Sequence, residues 1–223
     1  LPRVRTRIFP GRGTLLVSTD MHGNAEDFAA LRGRFLAELA GEPDTFWAIL
    51  GDAVHGPSPE ARERRPELYD YDDESAAIVL GILELQAAHP GQVVYILGNH
   101  DHGHVGGPHT AKFYPDEVAA LEQRCSSEQL AGLQRLFSQA LLAAAAPCGV
   151  LLAHGCPDDH LVRFADLDEV RGASPVEDVE RLAGLVRVAD GEPEGRVHAR
   201  EHRHHPLPGA GPDPHERVGE DAR

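Results

Sequence analysis

The 223-residue chain has little sulfur: three cysteines, at 125, 148 and 156, and one methionine. An odd cysteine count without C-x-x-C spacing argues against a disulfide framework, and it points to a reducing compartment, the cytoplasm. Long apolar runs are missing too. No stretch approaches the ~18 residues that span a bilayer, and the basic opening "LPRVRTRIFPGRG" holds no apolar signal core, so neither a membrane span nor a secretory leader is expected. Positive charge is also scarce: 21 Lys and Arg stand against 36 Asp and Glu, a formal net charge of −15. That balance argues against a nucleic-acid groove held by electrostatics. It suits a soluble surface, and equally carboxylates gathered around divalent cations. There is no internal repeat, and the length fits one sizeable domain that folds without staples.

What is present is an alternation of short apolar runs and amphipathic stretches. "TLLVSTD" (14–20), "TFWAILGD" (45–52), "QVVYILGNHD" (92–101) and "GVLLAHG" (149–155) read as strands, each ending in a polar turn. Between the first two, Asn24 caps a helix on which Phe28, Leu31, Phe35 and Leu39 recur at helical spacing, and Gly41 with Pro43 stops it. "ESAAIVLGILELQAAHPG", "DEVAALEQR" and "SSEQLAGLQRLFSQA" predict three more helices, the last capped by Ser126 or Ser127 with Glu128 in its first turn. Residues 53–73 read as a long loop, and "LLAAAAPCGVLLAHG" as a hairpin around Pro147, Cys148 and Gly149. The alternation predicts an α/β layered sheet. From about Asp190 large apolar residues almost vanish, which divides the chain into a domain over 1–188 and a tail over 189–223 too poor in burial to order itself.

The four strand ends supply Asp20 and His22 ("DMHGN"), Asp52 ("GD"), Asn99 and His100 ("GNHD") and His154 ("HG"). Each piece alone is an ordinary turn or a core histidine. Four in order, each closing an apolar strand, form a constellation, because parallel strand ends converge on one edge. Mixed oxygen and imidazole donors suit Mn, Fe or Zn better than Ca or Mg. More than four donors, with Asp52 central, suggests two ions sharing a carboxylate.

Over roughly residues 14–156 these motifs resemble the calcineurin-like metallophosphoesterases, whose signature runs D-x-H, G-D, G-N-H-[DE], H-G and G-H-x-H. "DMHGN" and "LGNHD" are most similar to the serine/threonine phosphoprotein phosphatase branch. The resemblance implies a layered sheet sandwich flanked by helices, with its site at the C-terminal ends of the strands. Two divalent transition-metal ions would be held there: one by Asp20 and His22, one by Asn99 and His154, with Asp52 shared. His100 would be the general acid near the leaving oxygen. Two such ions clamp a phosphoryl group and activate water for in-line attack. An imidazole that protonates the leaving group adds ~10²–10⁴ in rate. The substrate class implied is a phosphate monoester, a phosphoprotein or a dinucleoside polyphosphate, with no membrane and no nucleic acid as partner.

The chain departs from that pattern twice. After G-D the phosphatase branch carries "Y-V-D-R-G", whose Asp orients the catalytic His and whose Arg grips phosphate; here "GDAVHGP" puts His55 and Gly56 in those places. A neutral imidazole offers no fixed anion, so Asp101 or another group must orient His100, and Arg62, Arg64 or Arg65 are candidates to replace the lost arginine. His102, His104 and His109 in "HDHGHVGGPHT" lie beside the site, in a loop that faces substrate or is merely polar. The closing motif is degraded as well: "EHRHHP" (201–206) imitates its spacing, with His202 the candidate ligand, but lacks an apolar strand to deliver it. These departures admit a second reading, an impaired member of the fold acting as a metal- or phosphate-binding module. Cys156 reads as a small buried residue.

Overall fold

Alternation along the central strands decides where each side chain goes, because successive residues of a strand point to opposite faces. The structure, a computed structural model, describes residues 5–155 and Phe164. The described strands are β1 (Thr6–Ile8), β2 (Thr14–Ser18), β3 (Thr45–Ile49), β4 (Val93–Tyr95), β5 (Ala143–Ala146) and β6 (Val150–Leu152). The described helices are α1 (Ala25–Gly41), α2 (Pro59–Arg64), α3 (Pro66–Tyr69), α4 (Ser75–Ala88), α5 (Asn99–His102), α6 (Glu117–Glu122) and α7 (Ser127–Gln139).

The strands form two three-stranded sheets, ordered β2-β3-β4 and β1-β5-β6. The first is wholly parallel; in the second, β1 runs parallel and β6 antiparallel to β5. They join at a bridge between Ile96 and Leu141, where the Leu97 and Leu141 amides donate to the Leu141 and Tyr95 carbonyls, each at 2.9 Å. Trp47, Ile49, Val93 and Tyr95 enter the core under the helices, while Phe46, Ala48, Val94 and Ile96 enter the core that holds Phe9, Ala144 and Leu152 from the other sheet. Both faces of β3 and β4 are therefore buried, which is why these strands read as continuous apolar runs.

α1, α4 and α7 cover the first sheet. Asn24 caps α1, accepting from the Glu26 and Asp27 amides, and Ser126 forms a reciprocal capping box with Gln129 at α7. α4 is apolar all round because it touches α1, α7 and β4. The hairpin at 147–149 forms as expected: Ala143–Ala146 pairs with Val150–Leu152, and Gly149 takes φ 91°. Four alanines serve as a strand here because Ala143 and Ala144 are buried, so packing overrides helix propensity.

One expectation is corrected and one strand is added. Residues 53–73 are not simply a loop: Ser58 caps α2 through the Ala61 amide at 3.2 Å, and α3 follows. β1 was not foreseen, because it is three residues long and Ile8 is 67% exposed, so no apolar run announces it. β4 ends at Tyr95 and the polar residues that follow turn away from it as expected: the Leu97 amide bonds to Leu141 and Asn99 begins α5. Among the described residues no helix is long and apolar enough to cross a membrane.

Ile82, fully buried on α4, gives the core a direct test. Ile82→Ala is expected to cost ~2–5 kcal/mol in urea unfolding, whereas Val150→Ala, at a residue 46% exposed, should stay within about 0.5 kcal/mol of wild type.

Candidate metal centre

Four non-glycine residues among those described have positive φ: Asp20 (54°), His22 (44°), Asp52 (55°) and His55 (67°). All follow β2 or β3. Left-handed backbone costs an L-residue ~1–2 kcal/mol and persists only where its surroundings over-determine it. Here the two exit loops are zipped together beyond their strands. The Asp20, His22 and Gly23 amides donate to the Gly51, Asp52 and Ala53 carbonyls at 3.2, 2.9 and 3.0 Å. A third loop closes in at Gly51, where a Cβ would lie 2.5 Å from the Gly98 nitrogen, so only glycine fits.

This backbone gathers the five described ligand candidates. His22 Nε2 lies 3.5 Å from Asp20 Oδ1, and His154 Nε2 lies 3.4 Å from Asp52 Oδ2 and 2.8 Å from Asn99 Oδ1. His22, Asp52 and His100 each bring a ligating atom within 4.8 Å of the others. Both histidines spend their Nδ1–H on a carbonyl, His22 on Val54 (3.1 Å) and His154 on Leu50 (2.5 Å). Their Nε2 lone pairs are thus turned inward, the tautomer a metal ligand needs. Carboxylates, an amide oxygen and lone pairs converge with almost no donors among them, an arrangement that calls for a cation. The titration behaviour reflects this. Burial disfavours charge on His154, but its bond to Asp52 and the nearby carboxylates hold its pKa up at about 9. Asp20 is held well below the usual carboxylate range, chiefly by its bond with His22. The donor set fits divalent metal. His202, the boundary at residue 188 and Cys156 lie outside the described residues.

His100 meets a different carboxylate from the one its sequence neighbour offers. Asp101 faces away, and its Oδ2 accepts from the Gly98 amide (2.9 Å), the Asp52 amide (2.9 Å) and the Tyr95 hydroxyl (2.8 Å). Burial and the Asp52 charge raise its pKa to about 6. The group beside His100 is Glu117, at the start of α6, with Oε2 3.1 Å from His100 Nδ1 and 3.8 Å from His55 Nδ1. Burial would raise the Glu117 pKa, but bonds from His100, Thr110 and the Phe113 amide outweigh it and hold the carboxyl down at about 2. Nothing in "DEVAALEQR" singles this residue out. His55 does stand against His100, Nδ1 to Nδ1 at 3.0 Å.

Asn99, His100, His102, His109, Thr110 and Lys112 line a cavity of about 430 Å³. His104 does not; it is buried against His55, while His109 pairs with Asp116 at 2.9 Å. Two of the three arginine candidates are engaged elsewhere, Arg62 with Asp72 and Arg65 with Glu67, and Arg64 does not line the cavity described above. Nor could Gly56 carry the missing arginine, since a Cβ there would lie 2.7 Å from Asp73 Cβ. The cation at the pocket is Lys112, whose Nζ is 3.1 Å from His22 Nε2.

The calcineurin-like phosphoesterase family model matches residues 13–220. The chain belongs to the calcineurin-like phosphoesterases. Among solved structures it is similar to a protein serine/threonine phosphatase from Saccharomyces cerevisiae with similarity to human phosphatase PP5. That match has 18% identity and a TM-score of 0.54, over 79% of this chain and 52% of that one. A cold-active protein-tyrosine phosphatase of a psychrophilic Shewanella sp. matches at 14% identity and a TM-score of 0.49, over 79% and 52%. At 18% identity the first likeness is one of fold, and the chain spans about half the length of either structure. No curated protein matches the chain. Membership of the family brings divalent metal chemistry, and the site just described has the donors for it.

Asp101 tests how this phosphoesterase site is held. Asp101→Ala removes the acceptor of three buried donors, each costing ~1–3 kcal/mol when orphaned. A sharply lower urea midpoint together with lost metal is expected, and Asp101→Asn should be milder.

Proposed function

We propose that the chain is a two-metal phosphoesterase that hydrolyses a phosphate ester. The carrying observation is the convergence of Asp20, His22, Asp52, Asn99 and His154, the first three of them on strained backbone whose two loops are hydrogen-bonded to each other. Asp20 and His22 would hold one ion, Asn99 and His154 the other, and Asp52 would serve both. Mn, Fe or Zn suits this donor set. Bound there, the ions supply Lewis-acid neutralisation of phosphoryl oxygens and activate water. The chain's own side chains do the rest. His100, on the cavity wall, gives a proton to the leaving oxygen, and Glu117 behind it stabilises the imidazolium. Cysteine usage suits a reducing compartment such as the cytoplasm, and the charge of −15 disfavours a nucleic-acid substrate.

The purified protein supplied with Mn is expected to carry close to two ions per chain and to turn over an aryl phosphate. A carboxylate shared by both ions matters more than a ligand to one, so Asp52→Asn should lose more metal than His22→Ala. Equal retention in the two variants would sink the sharing of Asp52. The absence of an arginine at Gly56 favours the second reading, a binding module, whose signature is full metal content with no turnover of any phosphate ester.

Lys112 takes the part of the missing arginine. It is the only lysine in the chain, its Nζ lies against the ligating nitrogen of His22, and among the described residues no carboxylate pairs with it. A charge-assisted bond to substrate phosphate is worth ~1.5–3 kcal/mol, so Lys112→Ala should raise KM at least about tenfold with kcat little changed. A single lysine also permits a direct check. Acylation of Lys112, followed by mass spectrometry, should be slowed by inorganic phosphate in the metal-loaded protein. Unaltered labelling with phosphate at saturation argues against the role.

A further inference from the structure

Behind His100 lies a series of titratable side chains that the reaction as proposed leaves unused. His55 Nδ1 is 3.0 Å from His100 Nδ1, His55 Nε2 is 3.0 Å from His104 Nε2, and His104 Nδ1 is 2.9 Å from Glu122 Oε1. His55 and His104 are each 2% exposed, whereas the Glu122 side chain is 38% exposed, at the end of α6. Each ring thus uses both nitrogens in a contact, and the series runs from the candidate active site to the surface.

The direction of every bond follows from the surface end. A carboxylate only accepts, so His104 Nδ1 carries the hydrogen and donates to Glu122. Burial holds His104 and His55 down in the neutral form, His55 at about 3 with the help of its histidine neighbours, so each ring has one donor and one acceptor. His104 Nε2 is then a lone pair and takes the hydrogen of His55 Nε2. His55 Nδ1 is a lone pair in turn and takes the hydrogen of His100 Nδ1. The opposite tautomer of His100 would set its Nδ1 lone pair against the His55 lone pair at 3.0 Å and Glu117 Oε2 at 3.1 Å. That sets three acceptors together in a buried cluster with only the single Thr110 hydroxyl hydrogen, 3.2 Å from His100 Nδ1 and 3.4 Å from His55 Nδ1, to serve them. Reversing His55 to relieve this would reverse His104 and turn a bare nitrogen on the Glu122 carboxylate.

We propose that Glu122, His104 and His55 are positioning residues which fix neutral His100 as the Nδ1–H tautomer, so that Nε2 is the nitrogen that carries the transferable proton. This rests on His100 being the general acid. The proton balance is consistent. The imidazolium gives its Nε2 proton to the leaving oxygen as the P–O bond breaks, and the neutral ring that remains is already the tautomer the series enforces. Glu117 and Thr110, whose Oγ1 lies 3.2 Å from His100 Nδ1, flank the same hydrogen. The series behind His55 therefore enforces the same tautomer that Glu117 favours by direct contact at 3.1 Å.

The test uses the full chain loaded with zinc, a diamagnetic ion, and with ¹⁵N-histidine, reading tautomers from two-bond ¹H–¹⁵N correlations. His100 and His104 are expected as Nδ1–H and His55 as Nε2–H. Glu122→Gln replaces a pure acceptor with a group that also donates, so the series loses its direction and His100 should become a mixture. An aspartate-to-asparagine change that imposes the wrong tautomer directly costs a catalytic histidine ~10⁴ in kcat. With two rings intervening, a fall of about tenfold in kcat at unchanged KM and zinc content is expected, with partial recovery in Glu122→Asp. His100 found as Nε2–H in the wild type, tautomers or kcat indifferent to Glu122→Gln, or loss of one zinc ion in His55→Ala would each overturn the proposal. The tautomer readout needs no turnover, so it stands apart from failure of the phosphoesterase reading, which would appear as a metal-loaded protein inactive on every phosphate ester tried.

Discussion

Oδ2 of Asp101 is a fully buried oxygen on which three chain segments depend. It receives the Gly98 amide at the head of α5, the Asp52 amide after β3 and the Tyr95 hydroxyl from β4. Asp52 in turn accepts the His100 amide at 3.0 Å. The two loops that carry Asp52, Asn99 and His100 are therefore cross-linked through two carboxylates, and neither loop can shift without breaking the other's bonds. Low dielectric makes such bonds strong and their loss costly. This lock allows Asp52 to stay at φ 55°, since the strain is opposed by bonds that exist only in this conformation.

The same lock explains why acceptors can be crowded at one end of the sheet. Left to itself, a pocket of carboxylates and inward lone pairs would splay open or take up protons. Backbone bonds between the β2 and β3 exits prevent the first, and the raised His154 pKa is a trace of the second. A divalent ion meets both demands at once, which is the physical content of calling the site a metal centre.

The ligand set was legible in the sequence because metal donors sit at the C-terminal ends of strands, and strands buried on both faces announce themselves as apolar runs. Asp20, His22, Asp52, Asn99 and His154 all follow short apolar runs, of which those of β3 and β4 are the ones buried on both faces, and the structure brings them together. The helix caps at Asn24 and Ser126 were legible for a similar reason: capping is local. Glu117 and Lys112 were not. Each reaches the site through a loop over residues 103–116 whose path depends on tertiary bonds, the Glu117 amide to Thr110 and the Phe113 amide to Glu117. No period or motif records such a path. Asp101 misled in the opposite direction: adjacency to His100 suggested an orienting partner, but successive helical residues point about 100° apart, which carries its side chain away from His100 and onto the Gly98 and Asp52 amides.

His55 is where these threads meet. A histidine in the place of the family's aspartate removes the anion behind His100, and the chain supplies that anion from α6 instead. The substitution changes what His100 is coupled to. An aspartate after β3 would tie it to the sheet, whereas Glu117 Oε1 also accepts the Phe113 amide at 2.8 Å, beside Lys112 and close to Thr110 on the cavity wall. Orientation of His100 and the path of the loop that carries Lys112 thus share one carboxylate. Any movement of that loop which releases Phe113 also loosens Glu117, so the placement of Lys112 and the orientation of His100 are linked by a single buried side chain rather than set separately.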